Sequence, residues 1–102
     1  MNVSNAFEMF AKEIPEHHGA WMDAVRRLDA AGALDKKTKE LAYIAVLAAV
    51  RLESGLPFHV QAARANGATR DEIISAVLVG LPAVGNTVIQ ALPSVFGALD
   101  GR

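Results

Sequence analysis

Cysteine is absent from the chain. Without a thiol, the chain alone can form no disulfide, thiolate nucleophile, thiolate zinc or iron–sulfur site, and no dithiol redox cycle. Charge of one sign is also lacking. Ten Lys and Arg stand against eleven Asp and Glu, a formal net charge of -1, which argues against a nucleic-acid or anionic-membrane partner. No apolar run is long enough to span a membrane, since the longest, Leu41 to Val50, has about half the roughly 20 residues needed. The segment Met1 to Ile14 mixes Asn, Ser, Glu and Lys among apolar residues and so reads as no secretory signal, leaving a cytoplasmic location as the expectation. Glycine-rich phosphate loops, a nucleophile elbow, an H-E-x-x-H pair and carboxylate clusters with calcium or magnesium spacing are missing too. Neither a cofactor nor a metal is expected.

What remains is the composition of a packed globular protein, 52% hydrophobic and 21% charged. At 102 residues it is expected to form a single domain, 1–102, around one core.

Phe7, Phe10 and Ile14 recur at helical spacing before Pro15, which predicts a short first helix over Asn5 to Glu13. A second, amphipathic helix is expected from Glu16 or His17 to Ala31, with Trp21, Met22, Val25 and Leu28 on one face and Gly32 as its stop. Asp35 is placed to cap a third helix whose later part is apolar on every side. Such a helix must be covered all round, and a short chain has few elements to do it, so contacts between subunits are expected to supply part of the cover. Gly55 and Pro57 mark a break before a helix from about Pro57 to Ala65, stopped by Asn66 and Gly67. Thr69 and Glu72 fit a capping box opening the next helix, which carries Ile73, Ile74, Val77 and Leu78. Leu81 to Leu99 reads as one kinked helix or two short ones, because Gly85, Pro93 and Gly97 interrupt it; its apolar content again suggests a subunit interface. No strand-like alternation is present, and the fold class is all-α.

Glu40, at the start of the apolar helix, and His59, after the Gly55/Pro57 break, are the ionisable residues beside buried-looking segments. That is where proton affinities are tuned and where an acid and base pair could join two helices. The competing reading is structural: a first-turn Glu suits the helix dipole, and a lone His is often a hydrogen-bonded core residue. Glu53, between the two helices, is either a third member of that site or a solvated loop carboxylate. His17 and His18, being adjacent, point about 100° apart on a helix and cannot readily share one metal. Asn86, Thr87 and Gln90 either line a pocket or cap a helix start after Gly85, and capping is the expectation.

The stretch Leu34-Asp35-Lys36-Lys37-Thr38-Lys39-Glu40-Leu41, the Ala-rich helix, His59, and Ala62 to Ile73 together resemble the carboxymuconolactone decarboxylase-like (AhpD-like) superfamily over about half the chain, roughly Leu34 to Leu81. The resemblance implies an all-helical fold and assembly as a homotrimer or homohexamer. In AhpD-like members a Glu, a C-x-x-C pair and a His form a proton relay serving a redox-active dithiol. Glu40 and His59 match the relay residues, but Leu52 and Gly55 occupy the thiol positions. Neither can ionise or form a disulfide, so thiol peroxidase activity by that mechanism is excluded. The decarboxylase branch lacks the cysteine pair and keeps the His, and Arg51 to His59 (RLESGLPFH) looks closer to it. The resemblance then implies that His59, with Glu40 or Glu53, handles protons on a small carboxylated lactone or similar anion, near Arg51 and Arg64 as cations. Two functions follow as alternatives: a cofactor-free lyase or isomerase with both side chains in a closed cavity, or a non-catalytic oligomeric binding domain in which Glu40 and His59 are a structural pair.

Overall fold

The structure, a computed structural model, describes residues 3–101; Met1 and Asn2, which open the segment read as carrying no signal, lie outside them. Among the described residues there are eight α-helices, one 3-10 turn and no strand. No helix among them is long and apolar enough to cross a membrane.

Helix α1 (Asn5–Glu13) starts where the Ser4 side chain accepts a hydrogen bond from the Phe7 N–H at 3.2 Å. Helix α2 (Pro15–Ala31) opens on Pro15, whose missing N–H costs nothing at a helix start. The two form a hairpin closed by the His18 ring against Phe7 and Phe10, with centroids 5.4 and 5.6 Å apart. This ring cluster gives His18 a structural place. The face read from sequence divides: Met22 and Val25 are half-buried, whereas Trp21 and Leu28 are exposed. A 2.8 Å ion pair from Lys39 to Asp29 ties α2 to the next helix.

Helix α3 (Lys36–Ala49) begins at Asp35, whose carboxylate accepts from the Thr38 N–H at 2.8 Å and titrates below its ordinary range because of that bond. Glu40, Ile44, Leu47 and Ala48 line one face and are buried. The stripe flanking it on the Glu40 side is open: Tyr43, Val46 and Val50, at steps of three and four, are each about half exposed. After the 3-10 turn Glu53–Gly55, α4 (Leu56–Ala65) packs against α3. Gly67, with φ +92°, provides the left-handed stop that the Asn66-Gly67 pair led one to expect.

Helix α5 (Arg70–Leu78) carries the capping box in full: the Glu72 N–H donates to Thr69 Oγ1 at 3.1 Å and the Thr69 N–H to Glu72 Oε1 at 2.9 Å. These bonds, together with Lys37 at 2.9 Å, hold the Glu72 carboxyl below its ordinary 4.5. A depressed folded value means that the stabilisation is complete above pH 4.5 and is lost as pH falls through the folded value. An acid titration should therefore be less destabilising in Glu72→Gln than in the parent chain, a difference that thermal melts at pH 7 and pH 3 would measure.

The C-terminal stretch departs from the expectation of one kinked or two short helices. It forms three: α6 (Leu81–Val84), α7 (Asn86–Ile89) and α8 (Leu92–Asp100). Gly85, at φ +61°, turns the chain between the first two, and Pro93 sits in the first turn of the third, where a proline is tolerated. The capping expectation for Asn86 is corrected here, since α7 starts without a side-chain cap and Gly85 holds the cap position. Helix α8 is clamped onto α4 by Gln61 donating to the Ala98 carbonyl at 2.7 Å and Arg64 to the Leu99 carbonyl at 3.0 Å. Between α3, α4, α5, α7 and α8 lies the core, with Ile44, Leu56, Val60, Ile73, Val77, Val88 and Val95 fully buried.

Candidate functional site

Glu40 sits in the second turn of α3 on its buried face, which corrects the first-turn placement read from sequence, and His59 in the first turn of α4, so the packing of these two helices brings the side chains together. His59 Nδ1 lies 2.7 Å from Glu40 Oε2. With Glu40 as a carboxylate, His59 donates from Nδ1, which leaves Nε2 as its free nitrogen. Glu40 is 8% exposed, yet its other oxygen is 3.9 Å from the Lys39 ammonium. Lys39 holds its proton more tightly than an ordinary lysine, chiefly because of its bond to Asp29, so the carboxylate keeps a charged neighbour through the neutral range.

Tyr43, which sequence reasoning passed over, and Phe58 complete the surroundings. The Tyr43 ring lies over the His59 imidazole, with centroids 4.2 Å apart and planes tilted by 30°. Phe58 meets the same ring edge-on at 5.1 Å. Tyr43 follows Glu40 by three residues, the spacing that puts two side chains on one helix face, so the signal was in the sequence. Lys39 was legible only as a flanking charge.

Glu53 is engaged elsewhere: its carboxylate takes the Arg51 Nε at 2.8 Å, and the described contacts do not bring it to His59. Arg51 also terminates α3. The Leu52 N–H donates to the Leu47 carbonyl at 3.0 Å and the Arg51 N–H to the Ala48 carbonyl at 3.4 Å, while Arg51 takes φ +64°. That is a Schellman-type stop with arginine where glycine is usual, at a cost of roughly 1 kcal/mol. The two arginines expected near an anion are thus both committed, Arg51 to Glu53 and Arg64 to a backbone carbonyl. Lys39 is the cation beside the pair. Of the two positions that the resemblance sets against the thiols, Leu52 is exposed, and a Cβ at Gly55 would stand 3.4 Å from the Leu47 side chain.

Two surface clefts lie away from the pair. One, of about 580 Å³, is lined by Phe10, Ile14, His17, Ala20 and Trp21; another, of about 610 Å³, lies between α3 and α5. Neither is lined by Glu40 or His59. Among the described residues no three His, Asp or Glu side chains are grouped to hold a metal.

Glu40 and His59 stand bonded across α3 and α4 within an all-α fold, and residues 15–95 match the model of the Carboxymuconolactone decarboxylase family. The chain belongs to that family. Comparison with curated proteins and with solved structures finds no match. Membership extends well beyond the Leu34 to Leu81 stretch that carries the visible resemblance, taking in all of α2 and reaching into α8. In this chain the Glu40–His59 bond forms without any cysteine between the two helices.

Proposed function

We propose that the Glu40–His59 pair is a cofactor-free proton-transfer site acting on a small carboxylate or lactone, as in a lyase or isomerase. The observation that carries this reading is the 2.7 Å bond from His59 Nδ1 to Glu40 Oε2. Such a bond fixes the imidazole tautomer and steadies the imidazolium that forms when Nε2 takes a proton. Nε2 would remove a proton from the carbon beside the carbonyl and return it at the carbon where the product requires it. Glu40 would stay ionised throughout as the counter-charge. Glu53, held by Arg51, has no step to perform.

The same proposal has the protein working as a homotrimer or homohexamer, and in the cytoplasm. Its support is the open apolar face of Tyr43, Val46 and Val50 next to His59: a second subunit laid there would cover it and wall the site. The second reading, a binding or assembly domain with Glu40 and His59 as a structural pair, is favoured by the absence of both residues from the two clefts.

Turnover separates the two. Against a panel of small carboxylated lactones and their open-chain acids, His59→Ala should lose at least about 100-fold in kcat/KM, the usual share of a general base, with its helical circular dichroism retained. Glu40→Gln should lose kcat with little change in KM. Equal turnover by the parent chain and His59→Ala would favour the assembly reading.

A further inference from the structure

We propose that Tyr43 is a positioning residue for His59, one whose ring fixes the plane of the imidazole while Glu40 fixes one of its nitrogens. The inference rests on the proton-transfer reading for its purpose, but its geometry stands apart from it. A single hydrogen bond at Nδ1 leaves the imidazole free to swing about the bond axis, because the terminal torsion of a histidine is broad. The stack at 4.2 Å and 30° removes that freedom from one face, and Phe58 at 5.1 Å limits it at an edge.

Within the chain Tyr43 is 47% exposed, beside the fully buried Ile44. The area it does cover includes the face of His59. Helical spacing explains the arrangement: Glu40 and Tyr43, three residues apart on α3, hold the same imidazole by its edge and by its face. When His59 carries a proton, the Tyr43 π-cloud faces a cation, so the stack strengthens in the charged form. The charged groups around the ring are Glu40 and, behind it, Lys39 with Asp29.

The test uses the full chain without substrate. Exchange of the His59 Nδ1–H with solvent, followed by nitrogen-15 NMR, reads how often the ring leaves Glu40. Tyr43→Leu should speed this exchange roughly 2- to 10-fold, the range that a ring stack of ordinary strength supplies. Tyr43→Phe, which keeps the stack and loses the hydroxyl, should stay within about twofold of the parent chain. Backbone amides of Ile44 and Ile73 should exchange at the parent rate in both variants. Unchanged Nδ1–H exchange in Tyr43→Leu would overturn the proposal. So would an equal acceleration in Tyr43→Phe, which would assign the effect to the hydroxyl, or a parallel acceleration of the core amides, which would make Tyr43 a general packing residue. Loss of the functional reading shows separately, as absence of turnover in the parent chain, and leaves the exchange result standing.

Discussion

His59→Ala should lower the free energy of unfolding by about 3 kcal/mol, near the bottom of the range for leaving a buried charged group without its hydrogen-bond partner. Glu40 is the reason. It is the buried charged residue of the core region, at 8% exposure, and its short bond is the one to His59 at 2.7 Å. Removing the imidazole leaves a carboxylate in apolar surroundings with Lys39 at 3.9 Å as its remaining charged neighbour. The low end of the range applies because the His59 side chain is itself 22% exposed, so water enters where the ring stood. In a domain of this size the loss corresponds to a fall in Tm of roughly 10–20 °C, measurable by calorimetry at pH 7. Glu40→Gln should cost less, because the amide can still meet His59 without burying a charge. An unchanged melting temperature in both variants would mean that the pair holds neither helix in place, and would remove the structural reading with it.

Ile44→Ala should be at least as damaging, at about 3–4 kcal/mol. Ile44 is fully buried one turn after Glu40, at the centre of the face that α3 turns toward α4 and α5. Truncation leaves a cavity whose walls belong to three helices, and the packing that sets the Glu40 to His59 distance passes through it. Urea denaturation should show a lower midpoint at unchanged slope. The informative comparison is Val46→Ala, two residues along and 58% exposed. In an isolated chain that change should stay within about 0.5 kcal/mol. In an oligomer closed over this face the loss should grow with the degree of assembly, so melts at two protein concentrations reveal whether the open stripe is covered.

Much of the fold could be read from the sequence because its stop and start signals are local. Asp35, the Thr69/Glu72 box and Asn66-Gly67 each act within one turn of chain, and each is found at a helix end. The C-terminal stretch was harder, since a proline can either kink a helix or begin one, and only its packing on α4 decides. Glu40 and His59 were visible as ionisable residues beside apolar runs. Their bond was not, because it joins residues 19 apart through the packing of α3 on α4. Tyr43 escaped notice because an aromatic in an apolar helix reads first as core, and its exposure is known only once the neighbours are placed. The two arginines illustrate the reverse case: suitable charges in suitable segments that the fold engages elsewhere.

The most direct measurement is the tautomer of His59, read from its ring nitrogens by nitrogen-15 NMR near neutral pH. A proton-transfer site built on Glu40 requires the proton of the neutral ring on Nδ1 and a bare, basic Nε2. A His59 ring with its proton on Nε2, or one exchanging freely between the two forms as in a solvated histidine, would contradict it.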